Sequence, residues 1–321
     1  MSHNLEERDG KVSMAYVKAD GVPWHGLGTA VDPDLSPFQM LEVAGLDWTV
    51  EKIPAYATID HHRVNIGQSA LVRSVDHRML DVVSNDWNPV QNKEAFEFFD
   101  EYVTKGDMEM NTAGSLQNGQ IVWGLAKVKE SFELFKGDVV ESYLLFSNFH
   151  KYGFSTDVRF TPIRVVCNNT LTLSLESKVE RMVKISHRRE FNASSVKMML
   201  GIASDKLAKY KSMAEFLGSK RFTPALMVEY FNSVFPITGT NEIKKKDLSK
   251  TASMACDILE TQPGAEFARG SFWQLFNCVS YLTDHLMCKT SDTRLTSSWY
   301  GSNKVLKVKA LQTAVEMANA S

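Results

Sequence analysis

The sequence predicts an α+β fold: a mostly antiparallel sheet with helices on one face, followed by a helical C-terminal half. Three observations predict it. Segments rich in β-forming residues, separated by short turn-like sequences, fill most of the first 170 residues. From about residue 193 onward, apolar residues recur at helical spacing. Strands and helices do not alternate regularly, so a parallel βαβ sheet is not expected.

Two helices interrupt the predicted strands of the first half. Ser36-Pro37-Phe38-Gln39 combines an N-cap serine, a proline at the first helical position and a capping-box glutamine, and this helix is expected to stop at Gly45. The second helix is expected to begin after Asn92 and to end at Gly106. Hairpin turns are predicted at Asp60–His62 and at Val75–His77. The predicted strands are Trp48–Thr58, Arg63–Arg73, Met79–Ser84, Ile121–Val128, Val139–Ser147 and Asp157–Cys167.

The second half is predicted to be helical. Its expected helices cover Val196–Leu217, Pro224–Phe235 with Thr223 as the cap, Lys250–Glu260, Ala265–Cys288 and Lys304–Ala318. The change of pattern predicts three regions: an α+β core over residues 1–177, a basic connector over residues 178–192 and a helical region over residues 193–321.

Composition limits the classes of protein. The chain has 321 residues, of which 44% are hydrophobic and 23% charged, as in globular proteins. A net charge of -2 predicts no strong attraction of the whole molecule to nucleic acid or to anionic membranes. No apolar run reaches the ~18 residues that a membrane span needs, and no signal peptide is recognised. The four cysteines lack a CxxC pair, which favours reduced thiols and a location in the cytoplasm of the cell that produces the protein.

The segment from Lys178 to Arg221 is the sharpest charge feature. It has eleven basic and four acidic residues, a net +7, and the other 277 residues therefore sum to -9. A basic stripe on an acidic body is typical of phosphate contact. The alternative is a solvated helix face whose charges pair with the acidic body. The predicted DNA-binding residues are Arg159, Arg164, Lys178, Arg181, Lys184, Arg188, Arg189, Lys197, Lys206 and Lys209.

These cations are expected to line a groove along the junction of the sheet and the helices, and two further observations bear on this groove. Arg159 and Arg164 are five residues apart on a predicted strand, so they point to opposite faces and at most one faces the groove. Aromatic residues for stacking on bases are available at Phe154, Phe160, Trp299 and Tyr300.

Linear motifs of catalysis are missing from the sequence. It contains no P-loop, GxGxxG, HExxH or GxSxG motif.

Cys167 follows an apolar strand and is either a small buried hydrophobe or a nucleophile, for which His150 or His187 would be the base. Asp60, His61 and His62 are interpreted as a hairpin tip rather than metal ligands, so no metal or cofactor is predicted. An enzyme would need its polar candidates to converge in a pocket: Trp24, His25, Asp157, Cys167, Asn168, Asp284 and His285.

Several phrases, taken together, resemble a known family. They include Pro23-Trp24-His25-Gly26-Leu27-Gly28, Leu80-Asp81-Val82-Val83-Ser84, Pro89-Val90-Gln91-Asn92, Thr112-Ala113-Gly114-Ser115-Leu116, Val122-Trp123-Gly124-Leu125-Ala126, the stretch from Phe160 to Leu171, and Trp299-Tyr300-Gly301 before Leu306-Lys307-Val308-Lys309. In this order they resemble the phage/plasmid-like family of unknown function numbered nine hundred and thirty-two. The resemblance implies carriage on phages, prophages or plasmids, and no agreed activity. More distantly, such proteins resemble the ring-forming single-strand annealing recombinases of the RecT and Erf kind.

Three hypotheses of function follow. The leading one is a non-enzymatic protein of a mobile element that binds single-stranded DNA and promotes annealing or recombination, with homo-oligomers as a source of cooperativity. The second is an interaction protein that binds a host or phage protein through its acidic body. The third is an enzyme of nucleotide or nucleic-acid metabolism.

Overall fold

The computed structural model describes residues 5–20, 26–164, 169–170, 183–185, 187, 201–237, 248–287 and 294–321. The chain forms two compact units, each made of separate stretches. The first unit comprises Met1–Lys129, Tyr143–Phe160 and Ser174–Gly201, and the second comprises Glu130–Ser142, Thr161–Leu173 and Ile202–Ser321. The predicted α+β class with a helical C-terminal half is confirmed. The division at residues 178–192 stays a prediction, since that connector lies mostly outside the described residues.

Most of the strands belong to one large sheet. The described strands of the chain are β1 (Glu7–Arg8), β2 (Lys11–Val12), β3 (Met14–Val17), β4 (Thr29–Val31), β5 (Val50–Ile59), β6 (His62–Arg73), β7 (Met79–Ser84), β8 (Met108–Leu116), β9 (Ile121–Phe135), β10 (Asp138–Phe149), β11 (Thr156–Arg164), β12 (Asn169–Thr170) and β13 (Val183–Ile185). In the first unit the order of the large sheet is β13-β11-β10-β9-β8-β3-β4. The pairs β3–β8, β8–β9 and β11–β13 are antiparallel, and β3–β4 is parallel.

A separate three-stranded antiparallel sheet has the order β5-β6-β7. The β5–β6 hairpin turns at Asp60 and His61, both with positive φ, as the turn prediction requires. Halfway along it, the register shifts between Pro54 and Tyr56, and Gly67 of β6 has a φ of +70° beside this irregularity. β5 is an edge strand of this sheet, and it contains a proline.

Two helices pack against each other and against β8 in the first unit. α1 covers Pro37–Val43, and its predicted capping box is present: the Ser36 hydroxyl accepts from the Gln39 amide, and the Gln39 side chain accepts from the Ser36 amide. α2 covers Asn92–Thr104 and buries Phe96, Phe98 and Phe99 in the core. Gly45 and Gly106 follow these helices with positive φ, as predicted.

The second unit is built mainly from helices. They are α3 (Gly201–Ser219), α4 (Pro224–Val234), α5 (Lys250–Ile258), α6 (Phe272–Tyr281), α7 (Arg294–Tyr300) and α8 (Ser302–Ala320). α6 is buried along almost its whole length and packs on α8. The Tyr230 hydroxyl of α4 donates to the Ala310 carbonyl of α8 at 3.1 Å. Within the described residues, no helix combines the length and the apolar character that crossing a bilayer demands.

The predicted helix over Ala265–Cys288 is divided. A short 3₁₀ turn at Ala265–Ala268 is followed by Gly270 with a φ of +75°, and the Ser271 side chain then caps α6. After α6 the chain makes a π-helical turn at Leu282–Leu286. Glycine and serine therefore break a segment whose apolar spacing alone predicted one helix, since glycine tolerates the left-handed conformation and serine favours a new N-terminus.

A buried ion pair lies beside the π-helical turn. Lys307 Nζ is 2.7 Å from Asp284 Oδ1, and both side chains are almost completely buried. The Ser298 hydroxyl donates to the same carboxylate oxygen at 2.8 Å, and the Asn303 side chain donates to the Thr283 carbonyl at 2.7 Å. The Lys307 of the C-terminal sequence phrase therefore serves packing between α8 and the π-helical turn.

We expect Lys307→Ala to lower the free energy of unfolding by about 3–5 kcal/mol, because it leaves the Asp284 carboxylate buried without its cation. The matched control is Lys309→Ala, since Lys309 is exposed and two residues away; it should change stability by less than about 0.5 kcal/mol. Urea denaturation followed by circular dichroism measures both. Equal effects of the two variants would contradict the structural role of the pair.

Candidate nucleic-acid interface

The structure places the predicted DNA-binding residues unevenly. Lys178, Arg181, Arg188, Arg189 and Lys197 lie outside the described residues. Three more are on described backbone, with side chains that are not described: Arg164 on β11, Lys184 on β13 and Lys206 on α3. Lys209 is exposed on α3 in the second unit.

Arg159 requires a correction to the predicted groove. Its guanidinium is buried, with only 8% of the residue exposed, and it binds the Asp157 carboxylate through two nitrogens at 3.0 and 2.6 Å. A two-point ion pair of this kind holds both side chains in place. Arg159 therefore contributes a buried charge pair to β11 rather than an exposed cation, and a phosphate contact would first require this pair to open.

The turn between β10 and β11 exposes two aromatic side chains beside a cation. Tyr152 is 57% exposed and Phe154 is 47% exposed. The Lys151 Nζ lies 5.6 Å from the centroid of the Phe154 ring. Phe154 also stacks on the buried Phe149, with the ring centroids 5.2 Å apart and the planes 20° from parallel. Phe154 was predicted as a stacking residue, and its exposure is what stacking on a base requires.

Other predicted stacking residues differ in accessibility. Trp299 is buried, with 5% of the residue exposed, so it is unavailable to a ligand at the surface. Tyr300 is partly exposed and meets the Trp299 ring edge-on. The side chain of Phe160 lies outside what the structure describes.

Hydrogen bonds hold the turn between β10 and β11 (residues 150–155, here called the aromatic turn) against neighbouring strands of the first unit. The Tyr152 amide donates to Asp81 Oδ2 of β7 at 2.8 Å, and the His150 amide donates to the Gln120 carbonyl at 2.9 Å. The Gln120 side chain in turn donates to the Leu80 carbonyl at 2.6 Å. Gly153 permits the turn through its φ of +79°. The exposed aromatic residues are thus fixed relative to β7 and to the start of β9.

An open polar cavity adjoins these contacts. Its volume is about 460 Å³, and it is lined by Arg78, Met79, Leu80, Gln117, Asn118 and Gln120. The exposed Arg78 supplies a positive charge, and the side-chain amides supply donors and acceptors of the kind that bind base edges and phosphates. Leu80 and Gln120 belong both to this lining and to the contacts that hold the aromatic turn.

A buried hydrogen-bond network lies behind the aromatic turn. The Asn92 side-chain nitrogen donates to the Leu46 and Trp48 carbonyls, which leaves Asn92 Oδ1 to accept from His150 Nε2 at 2.9 Å. His150 therefore carries its proton on Nε2. Asn148 donates to the Val90 carbonyl at 2.8 Å and accepts from the Thr156 hydroxyl at 3.0 Å. The network connects α2, β10 and β11 through side chains far apart in sequence.

Two histidines of the first unit are held in the neutral form. Complete burial, together with smaller contributions from the nearby His187 and Arg73 charges, lowers the pKa of His150 to about 3. Burial also lowers the pKa of His187 to about 4, against the opposing effect of its hydrogen bond to the Asn88 carbonyl. The His187 ring stacks on Trp87 with the centroids 4.0 Å apart. His150 and His187 therefore act as buried neutral hydrogen-bonding groups at neutral pH.

Of the residues considered for catalysis, the structure describes Asp157, Asp284 and His285. Trp24, His25, Cys167 and Asn168 lie outside the described residues. Asp157 is paired with Arg159 in the first unit, whereas Asp284, paired with Lys307, and His285 belong to the second unit. Across the part of the chain that the structure describes, no three His, Cys, Asp or Glu side chains are grouped to hold a metal ion. Cys256 and Cys278 are free thiols, and burial raises the pKa of the Cys278 thiol.

Comparison with protein families gives one match. The model of the family described as Domain of unknown function (DUF932) matches residues 79–301, about two thirds of the chain. The chain belongs to the DUF932 family. The match includes β7, the aromatic turn, the basic segment from Lys178 to Arg221 and the lining of the polar cavity except Arg78. No curated protein and no solved structure matches the chain.

We expect the first unit to lose stability in mild acid. An unfolded histidine has a pKa near 6.5, whereas the folded values of His150 and His187 are lower, about 3 and about 4. Below pH ~6.5 the unfolded chain binds protons that the folded chain does not. The stabilisation is thus complete above that pH and is lost as pH falls towards the folded values, by up to about 1.4 kcal/mol per pH unit for each histidine.

Urea denaturation between pH 7.5 and 5 measures this loss. His150→Gln keeps a donor for Asn92 Oδ1 and removes one titrating group, so its stability should depend less steeply on pH. The control is His77→Asn, because His77 is exposed and asparagine tolerates its φ of 54°. If stability depends on pH identically in wild type and in His150→Gln, the lowered pKa of His150 is not a source of the loss of stability in acid.

Proposed function

We propose that this protein binds single-stranded DNA and promotes the pairing of complementary strands for a mobile genetic element, without catalysing a covalent step. The observation that supports it best is the turn in which the exposed rings of Tyr152 and Phe154 accompany Lys151. Exposed aromatic rings beside cations are how proteins hold single strands with little sequence preference, because every base offers a π-face.

The proposed path of the strand begins at this turn. A base on Phe154 would extend the stack that already runs from Phe149 to Phe154. A neighbouring nucleotide would reach the polar cavity, where Arg78 is available to a phosphate and the side-chain amides of Gln117 and Asn118 to a base edge. Duplex DNA hides its base faces, so this mode of binding favours single strands.

The basic segment would extend the contact along the phosphate backbone. It begins at Lys178, 24 residues after Phe154 in the chain, and its net charge is +7. Phosphate neutralisation releases counterions, so affinity that depends on it falls steeply with salt. A protein that holds bases by stacking and phosphates by charge leaves base edges available for pairing, which is the arrangement that strand annealing needs.

The stacking contribution is tested by Tyr152→Ala/Phe154→Ala. We expect this double variant to weaken binding of a labelled oligothymidine at least tenfold, because stacking contributes about 1–3 kcal/mol per base. Val305→Ala is the control, since Val305 is 67% exposed on α8 and has no ring to stack on a base; its affinity should equal that of wild type. Fluorescence anisotropy with single- and double-stranded DNA of equal length is the measurement. Binding that is absent at low salt, or that shows no preference for single strands, would overturn the proposal.

The electrostatic contribution is tested by Arg188→Ala/Arg189→Ala. Loss of two phosphate contacts should reduce the slope of log affinity against log salt by about 1.4, at roughly 0.7 per contact on a single strand. Lys309→Ala is the control, because it removes an exposed cation outside the basic segment. A wild-type salt slope in the double variant would exclude these arginines from the interface. Annealing itself is measured by energy transfer between two complementary labelled strands.

A further inference from the structure

The three-stranded sheet has two faces: one is buried where β7 pairs with β6, and the other is apolar and exposed, while the β5–β6 hairpin beyond Pro54 is exposed on both faces. The strand register separates them, because residues opposite each other on paired strands point to the same side. Val50, Leu71 and Val83 are buried on the inner side. The pairs Ile53–Ala70, Ala57–Val64, Ile59–His62 and Val72–Met79 define the other side, here called the outer face.

The outer face is unusually apolar for an exposed sheet. Ile53 is 43% exposed, Ile59 56%, Val64 43% and Met79 61%, with Ala57 and Val72 half-buried between them. The sheet therefore presents β-branched and small side chains to solvent on the side that the core of its unit does not use. A contiguous apolar surface of this kind marks an interaction site more often than a solvated surface.

Charge on this face is confined to its two ends. Glu51 lies at the start of β5, and His62 lies at the hairpin tip, opposite Ile59. The two positions are eight residues apart along β5, about 26 Å at ~3.3 Å per residue. An acidic residue at one end, a histidine at the other and an apolar centre form a self-complementary pattern. A copy rotated by 180° places its histidine end beside Glu51, and the imidazole donates a hydrogen bond to a carboxylate in either protonation state.

We propose that two copies of this chain pack outer face against outer face in a two-fold dimer. Two sheets stacked in this way interdigitate their apolar side chains about 10 Å apart, the spacing of a β-sandwich. The same patch serves both subunits, as an isologous interface requires, and each Glu51–His62 contact forms twice. The partner is a second copy rather than a different protein, because the distribution of charge on the face is complementary to itself.

The test is the oligomeric state of the full chain, measured by sedimentation velocity over a series of concentrations. Wild type should be a dimer of the 36.1 kDa chain. Ile59→Lys should raise the dimer dissociation constant at least tenfold. Thr58→Lys is the matched control: it adds the same charge at the adjacent exposed position, whose side chain points to the opposite side of the hairpin. It should remain a dimer. Circular dichroism verifies that both variants fold.

A charge exchange tests the orientation of the dimer. Glu51→Lys alone places a lysine beside His62, and His62→Glu alone places a glutamate beside Glu51, so each single variant should weaken the dimer. The double variant Glu51→Lys/His62→Glu pairs a lysine with a glutamate and should restore the dimer. A wild-type chain that is monomeric at its highest soluble concentration would overturn the proposal, as would a dimer that Ile59→Lys leaves unchanged. A dimer disrupted by Ile59→Lys but not rescued by the charge exchange would overturn the two-fold pairing of Glu51 with His62.

Discussion

The buried guanidinium of Arg73 is the constraint on which the first unit depends. It is fully enclosed and forms ion pairs with Glu6 at 2.5 Å and with Asp76 at 2.6 Å. Glu6 also accepts from the Ser115 hydroxyl of β8 at 2.9 Å, so one network joins the end of β6, the N-terminal segment and the large sheet. Removing one partner of such a group costs several kcal/mol, because an uncompensated charge is left out of water. The position of the three-stranded sheet is therefore tied to the position of a single side chain.

The same side chain packs against a turn that lines the polar cavity. Gly119, in the turn between β8 and β9, has a φ of +93°, and a Cβ atom there would lie 2.7 Å from an Arg73 nitrogen. Only glycine meets both conditions, the left-handed backbone and the close approach. The turn thus lies directly on the guanidinium, and its neighbours Gln117, Asn118 and Gln120 line the cavity. The buried Arg73 thus supports the turn that carries the side-chain amides of Gln117 and Asn118, which we propose contact a base edge.

Local signals predicted the local structure well. Ser36, Gln39, Gly45 and Gly106 identified the ends of α1 and α2 because capping and left-handed turns depend on neighbouring residues. β8 was missed as a strand, since it contains Gly114, and the structure explains this glycine: a Cβ would lie 2.9 Å from the Trp123 ring. Pairs distant in sequence, such as Arg73 with Glu6 or Asn92 with His150, leave no local pattern to detect. Of the candidate site, the sequence indicated Phe154 and the basic segment, but not the exposure of Tyr152 or the burial of Arg159.

The proline and the irregular register of the β5–β6 hairpin have a consequence for how the protein behaves at high concentration. An unprotected edge strand offers its free amides and carbonyls to any other strand, and growth by this route has no natural end. Pro54 has no amide hydrogen, so it cannot donate to a strand added at this edge, and the register of β5 against β6 shifts beside it. The addition of a further strand is therefore obstructed at β5, one of the two edge strands of this sheet. The apolar outer face therefore lies beside an edge that resists the addition of further strands.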